Sequence, residues 1–504
     1  MDDLLRDRTL IMLSNREPYE HTRRAGGVSV RQPPGGLVSA LDPTMRRTNG
    51  TWVAWGSGSA DRETSDANGR ILVPEDEESY TLRRVWLNDA DVEGYYLGFA
   101  NGVLWPACHM LIQHIVVRDD HWMRYRDVNE RFANAVLDEV RRADREPMVW
   151  IQDYHFALVS DRLRKAIPSL FIHQFWHIPF PPLDILGVLP GDVAEELMCG
   201  MLGNDLLEFH TRRFVMNFLS CVEYFVPGAV VRRSTLTVEY EGRVISLGVF
   251  PISIDVDLYE KLASSPAAGE RVRELRQRYA PDGRQALGVS VDRLDYTKGI
   301  PERLRALATL WEEDVVLRER FTVILVATPS RTDLAAYRDL EAEVVSAVHD
   351  INERFGTDEW TPIVLIHDNV SAELLATIYR AADLCMVSSL QDGMNLVAKE
   401  FVACQVDERG VLVLSRFTGA AEGIDGAVLI NPFNVDGFVA GIRTALEMQP
   451  EERRTRMRAM REQLRQTTIF DWLSAILERA DALMREGRTI EERESAEVGG
   501  DASA

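Results

Sequence analysis

Short apolar runs, each followed by a polar turn and then by a stretch of helical spacing, recur along most of this chain in two series. The first comprises 9–14, 51–55, 148–152, 170–175, 205–209 and 244–249. The second comprises 286–291, 322–326, 363–366, 383–388, 411–415 and 427–430. Runs this short and this apolar read as strands covered on both faces, and strands that alternate with helices build parallel sheet from βαβ units. The fold class expected is α/β, with two doubly wound, Rossmann-like domains. A chain of 504 residues also exceeds what a single core usually holds. The expected boundaries are 1–250 and 251–475, with the last helices crossing back to the first domain. Residues 488–504, acidic and without apolar period, read as a disordered tail. Open α/β sheets bind ligands at the carboxyl ends of their strands, so those ends are where function is sought.

Composition narrows the classes. A formal net charge of −22 argues against a nucleic-acid surface, although local arginines can still take a phosphate. No apolar run approaches the ~20 residues of a membrane span. The first residues, Met1-Asp2-Asp3-Leu4-Leu5-Arg6-Asp7, lack the basic-then-apolar order of a secretory signal, so a cytoplasmic protein is expected. The 5 cysteines have neither zinc spacing nor a disulfide framework. His173 and His177 stand four apart, but on a predicted strand and loop, where that spacing does not converge on an ion. A zinc site is therefore not expected.

Several strand ends carry chemistry. Asp392-Gly393-Met394-Asn395-Leu396-Val397-Ala398-Lys399-Glu400 follows a buried strand, makes an Asp-Gly turn and opens a helix. Such a turn gathers backbone N–H groups at the positive end of a helix dipole and attracts an anion. Asp392 and Glu400 add acceptors for sugar hydroxyls. Val291-Asp292-Arg293-Leu294-Asp295-Tyr296-Thr297-Lys298-Gly299 leaves another strand, and Arg293 and Lys298 can meet one anion from two sides. Arg16 and Arg331 also stand at strand ends, Asp153 follows 148–152, and His177 lies in a proline-stiffened loop. Each alone is more simply a surface or structural residue. Tyr95, Tyr96 and Trp105 offer aromatic faces near a loop, and Gly35-Gly36 permits close backbone approach.

Taken together and in this order, these motifs resemble the trehalose-6-phosphate synthase family, retaining glycosyltransferases of GT-B architecture, from about residue 10 to about residue 475. The resemblance implies two Rossmann-like domains facing across a cleft, the first binding the acceptor and the second the nucleotide sugar. It implies UDP-glucose as donor and glucose 6-phosphate as acceptor. Arg293 and Lys298 would hold the donor diphosphate. Asp392 with Gly393, Met394 and Asn395 would hold the transferred glucose, Leu396 and Val397 the phosphate side, Glu400 the ribose and Val370 the base. Gly35 and Gly36 would close over the donor. Arg16, Tyr96, Asp153 and Arg331 would bind glucose 6-phosphate, and Trp105 and His177 would shape the sugar subsites. Arg293, Lys298, Asp153 and His177 would be the catalytic set, no metal or other cofactor would be needed, and domain closure would exclude water.

Arg16-Glu17-Pro18-Tyr19 and the basic segment to Gly35 look more like the related glucosylglycerol-phosphate synthases, whose acceptor is glycerol 3-phosphate. Tyr96, the run Val103-Leu104-Trp105-Pro106 and Arg331 favour the trehalose branch. A non-catalytic sugar-phosphate sensor is a further alternative, opposed by the intact Arg293, Lys298, Asp392 and Glu400. A nicotinamide enzyme is opposed by the lack of a convincing G-x-G-x-x-G after the first strand. The partners expected are the two small-molecule substrates, without nucleic acid or membrane, and a homo-oligomer is compatible with the sequence.

Overall fold

The computed structural model describes residues 7–32, 36–77, 79–281, 283 and 285–500; side chains at 36, 37, 39, 40 and 488–500 are not described. Gly35 and residues 501–504 therefore lie outside the described residues, and of 488–500 only backbone, within a terminal helix, is described. The expectation of a disordered tail falls on this stretch.

The chain divides into two compact units, Met1–Pro251 with Asp471–Ala504, and Ile252–Phe470. The first unit carries a ten-stranded sheet. Its strands are β1 (Arg8–Arg16), β4 (Thr51–Trp55), β5 (Arg70–Val73), β6 (Tyr80–Val85), β7 (Glu146–Gln152), β8 (Phe171–Trp176), β9 (Leu206–Phe209), β10 (Val230–Arg232), β11 (Thr237–Tyr240) and β12 (Arg243–Val249). A separate antiparallel hairpin joins β2 (Glu20–Arg24) to β3 (Gly27–Arg31). The order in the large sheet is β10-β11-β12-β9-β8-β7-β1-β4-β6-β5. From β6 to β12 the neighbours pair in parallel, whereas β5, β10 and β11 add antiparallel edges. Those edges break the uniformly parallel expectation because they are short and half exposed, so no continuous apolar run marks them. The elements without a counterpart among the predicted ones include the parallel strand β6, a π-helical segment, Val92–Leu104, and the long helix Asp119–Arg142.

The second unit carries β13 (Ala286–Arg293), β14 (Phe321–Thr328), β15 (Ile363–Ile366), β16 (Leu384–Val387), β17 (Val411–Ser415) and β18 (Val428–Ile430), all parallel, in the order β15-β14-β13-β16-β17-β18. The helices used below are α1 (Gly36–Thr48), α2 (Ile300–Glu313), α3 (Ala372–Ala381), α4 (Leu396–Cys404) and α5 (Ile469–Gly500). Trp472, Leu473, Ile476, Leu477 and Ala480 form the buried stripe of α5. This stripe meets the first unit's sheet, with Trp472 5.9 Å from Trp150 and 5.1 Å from Phe175 between ring centres, while Arg8 Nη1 donates to Asp481 Oδ1 at 2.7 Å.

In each sheet the strand order reverses at one place. In the first unit that place lies between β1 and β7, and in the second between β13 and β16. The loops leaving two such neighbours run to opposite faces and open a crevice between them. Arg16 ends β1 and Asp153 follows β7; Arg293 ends β13 and Asp392 follows β16. Among the described residues, no helix is long and apolar enough to cross a membrane.

Candidate functional site

The loop after β13 is built on Gly299. Its φ of +62° is left-handed, and a Cβ there would stand 2.3 Å from Ser388 O. Glycine lets the chain turn into α2 while lying directly against the loop after β16. Leu390 N–H donates to Thr297 O at 2.8 Å across the same seam. The side chains complete it, with Lys298 Nζ 2.7 Å from Asp392 Oδ2. Asp392 Oδ2 also accepts from Ser389 Oγ and Asn395 Nδ2, each at 3.1 Å. Asn395 takes φ +76° and caps α4 by accepting from Ala398 N–H at 3.1 Å. The other first-turn N–H groups of α4, those after Met394 and Gly393 in the turn, belong to the helix end that favours an anion.

Behind this seam Asp295 gathers cations. Its Oδ1 accepts from Thr297 N–H and Oγ1 at 3.0 and 2.9 Å, and its Oδ2 lies 3.2 Å from Arg331 Nη1. Burial alone would raise this carboxyl. Arg331, Arg293 and Lys298 outweigh that effect and hold it below the usual carboxylate range. Tyr337 Oη bridges Arg331 and Asp295, at 2.6 and 3.3 Å. Arg331 itself has a φ of +46°. The sequence expectation treated Arg331 and Arg293 separately, whereas the structure groups both around the buried carboxylate of Asp295. Arg293 is exposed at the strand end.

Glu400 on α4 accepts from Tyr379 Oη at 3.1 Å and is also bonded by Tyr259; burial nevertheless raises its carboxyl. Leu396 and Val397 are half buried on the first turn, and Val370 is half buried just before Ser371, the N-cap of α3. Gly36 opens α1.

Lys399 turns inward. It is 6% exposed, donates to Ile252 O at 2.6 Å, and burial draws its ammonium from an ordinary 10.5 down to about 8. Between those two values the unfolded chain keeps a proton that the native chain has lost, so this group makes stability rise with pH across the window. In urea unfolding across the pH window from 8 to 10.5, wild type should therefore gain stability relative to Lys399→Met. A stability difference that stays flat across the window would contradict the burial of this ammonium.

In the first unit the expected residues also cluster. A register irregularity between Leu13 and Arg16 sets Arg16, exposed, opposite Trp55. Trp55 lies 5.8 Å from Tyr96, whose ring stacks on His155 at 5.9 Å and 13°. Trp105 is buried, 4.2 Å from the His109 ring and 5.8 Å from that of Tyr154. Tyr96 stands on the π-helical segment and Trp105 on the helical turn that follows it. Asp153 leaves β7 at φ +70°, and its Oδ1 accepts from His177 N–H at 3.2 Å. His177 Nε2 lies 2.9 Å from Gln152 Oε1. Burial, helped by His210, holds its imidazole well below the ordinary value and favours the neutral ring. Asp153, Arg331 and Asn395 are three of the nine non-glycine residues with positive φ among the described residues, and such strain concentrates at functional turns.

Sequence reading missed two buried groups. Glu17 bonds Arg84 Nε at 2.8 Å, and Arg84 Nη2 reaches His21 Nδ1 at 2.6 Å and Asp61 Oδ1 at 3.1 Å, beneath the β2–β3 hairpin. Arg303 is fully buried on α2. A cation inside the apolar stripe Ile300, Leu307 and Leu310 was the available signal for it. Among the described residues, no group of three His, Cys, Asp or Glu is arranged to hold a metal ion.

Two Rossmann-like units whose strand-order reversals carry arginine, lysine and carboxylate at their carboxyl ends are built to receive anionic ligands there. Residues 8–482 match glycosyltransferase family 20, and the chain belongs to that family. It is 38% identical over 476 residues to the trehalose-6-phosphate synthase of Mycolicibacterium vanbaalenii, covering 93% of this chain and 95% of that protein. Among solved structures it is similar to an alpha,alpha-trehalose-phosphate synthase (UDP-forming) from Burkholderia xenovorans in complex with glucose-6-phosphate. That match has a TM-score of 0.82 and 32% identity, covering 94% of this chain and 99% of that one. Similar too is the structure described as trehalose-6-phosphate from E. coli bound with UDP-2-fluoro glucose, with a TM-score of 0.82, 30% identity and coverage of 94% and 99%.

Proposed function

We propose that this glycosyltransferase moves glucose from UDP-glucose to glucose 6-phosphate with retention, giving α,α-trehalose 6-phosphate and UDP. The observation that carries this is the meeting of Lys298 and Asp392, 2.7 Å apart, at the second unit's strand-order reversal and beside the first turn of α4. The relatives' named substrates agree with it.

In this reading the donor diphosphate competes with Asp392 for Lys298 and is gripped from the other side by Arg293. Asp392 and the backbone of Gly393, Met394 and Asn395 take the glucose hydroxyls, Leu396 and Val397 flank the phosphates, and Glu400 takes the ribose. Val370 and Gly35-Gly36 contact the base and the donor. Arg16, Tyr96, Asp153 and Arg331 bind glucose 6-phosphate, with Trp105 and His177 shaping the subsite. Donor and product are both α-linked, so the acceptor hydroxyl attacks on the face from which UDP departs. Its proton passes to the departing phosphate oxygen while the C1–O bond to UDP breaks. Arg293 and Lys298 offset the charge that develops there, and the chemistry rests on positioning and fixed charge without a divalent ion. In this reading the enzyme works in the cytoplasm, where phosphorylated sugars are handled.

The acceptor is tested by supplying the purified chain with UDP-glucose and either glucose 6-phosphate or glycerol 3-phosphate, reading UDP release and product identity. Glucose 6-phosphate should be preferred by about 100-fold or more in kcat/KM, since a site built around sugar hydroxyls is left unpaired by the smaller acceptor. Product from glycerol 3-phosphate alone would overturn the choice.

A further inference from the structure

Arg303 lies beneath the loop that carries Lys298, and nothing in the proposed grip uses it. It is 0% exposed, yet only its Nη2 is engaged closely: 2.7 Å from Asp292 Oδ2 and 2.7 Å from Ser388 Oγ. Its Nε and Nη1 are buried without a hydrogen-bond partner among the described residues. A guanidinium left part-satisfied in the interior is costly and stands only where the surroundings exploit its charge or its geometry. Ser388 passes the contact on. With its oxygen accepting from Arg303, its hydroxyl reaches Lys298 O at 3.0 Å and Gly299 O at 2.9 Å. Asp292 is tied in turn to Ser290 Oγ at 3.3 Å, and Ser290 donates to Met386 O at 3.1 Å on β16. One buried cation thus joins the end of β13, the end of β16 and the peptide that carries Lys298.

Resting on the UDP-glucose reading, we propose that Arg303 is a positioning residue for the donor diphosphate. Through Asp292 and Ser388 it holds the Lys298 backbone at the height where that ammonium meets the diphosphate. A purely structural side chain would, on removal, lower stability and impair both substrates alike. A positioning residue acts on the donor.

The experiment measures UDP binding by calorimetry and steady-state kinetics for both substrates, with Arg303→Met, Arg303→Lys and Ser388→Ala. Arg303→Met is expected to weaken UDP binding by about tenfold or more, the scale of a lost charge-assisted network. The KM for glucose 6-phosphate at saturating donor should stay within about twofold. Arg303→Lys keeps the charge without the fork and should recover part of the loss, and Ser388→Ala should weaken UDP by about threefold through the same route. UDP affinity within about twofold of wild type in folded Arg303→Met, or equal losses for donor and acceptor, would overturn the proposal. Should Arg303→Met fail to fold, Arg303→Lys and Ser388→Ala decide by the same criteria. A wild-type chain that binds no UDP would overturn the donor reading itself, a separate failure.

Discussion

Arg293→Ala is expected to lower kcat/KM for UDP-glucose by about 10²–10³, the usual cost of removing one donor from a site that stabilises developing charge. The residue sits exposed at the end of β13, so it contributes little packing, and its loss should leave the fold intact. Its charge also acts within the protein, since together with Arg331 and Lys298 it holds the Asp295 carboxyl below the usual range against burial. In the proposed mechanism negative charge grows on the bridging oxygen as the diphosphate departs, and a guanidinium at the strand end would meet it without reorganising. Arg293→Lys should recover part of the activity, because an ammonium supplies charge but not two parallel N–H bonds. Turnover is read as UDP release under saturating glucose 6-phosphate, with circular dichroism confirming the fold. Unchanged turnover in Arg293→Ala would remove Arg293 from the mechanism.

Gly299→Ala is expected to cost about 2–4 kcal/mol of stability, combining a left-handed backbone for a non-glycine residue with a steric conflict that the backbone must relieve. The methyl would stand 2.3 Å from Ser388 O, a backbone atom that cannot swing aside. Either the β13 loop or the β16 loop must shift, and Lys298 and Asp392 lie on those two loops. Stability and donor affinity should therefore fall together, seen as a lower urea midpoint and a weaker UDP titration. A midpoint within about 0.5 kcal/mol of wild type would mean that the two loops can part without penalty, contrary to the close approach seen here. This double loss separates Gly299→Ala from Arg293→Ala, where affinity and rate fall but stability holds.

These two substitutions also mark what could be read from sequence. Arg293, Lys298, Asp392 and the first turn of α4 were legible because each follows a buried apolar run, a turn residue and a helix start, all within about ten residues. The central parallel strands were legible for the same reason. The hairpin β2–β3, the antiparallel edges and the π-helical segment carrying Tyr96 were not, since exposed short strands and a widened helix leave no clean period.

What the sequence alone determined is the alternation of strand and helix, the positions of the turns and the charged residues placed at them, because each is set by neighbours along the chain. Only the tertiary structure decided that Lys298 meets Asp392, 94 residues away, that Asp295 gathers Arg331, and that Arg303 is buried beneath both loops. Those pairings come from the strand order β15-β14-β13-β16-β17-β18, which sets β16 beside β13 across a long crossover. Contacts between distant loops depend on how the sheet is wound, and no local pattern of residues specifies that winding.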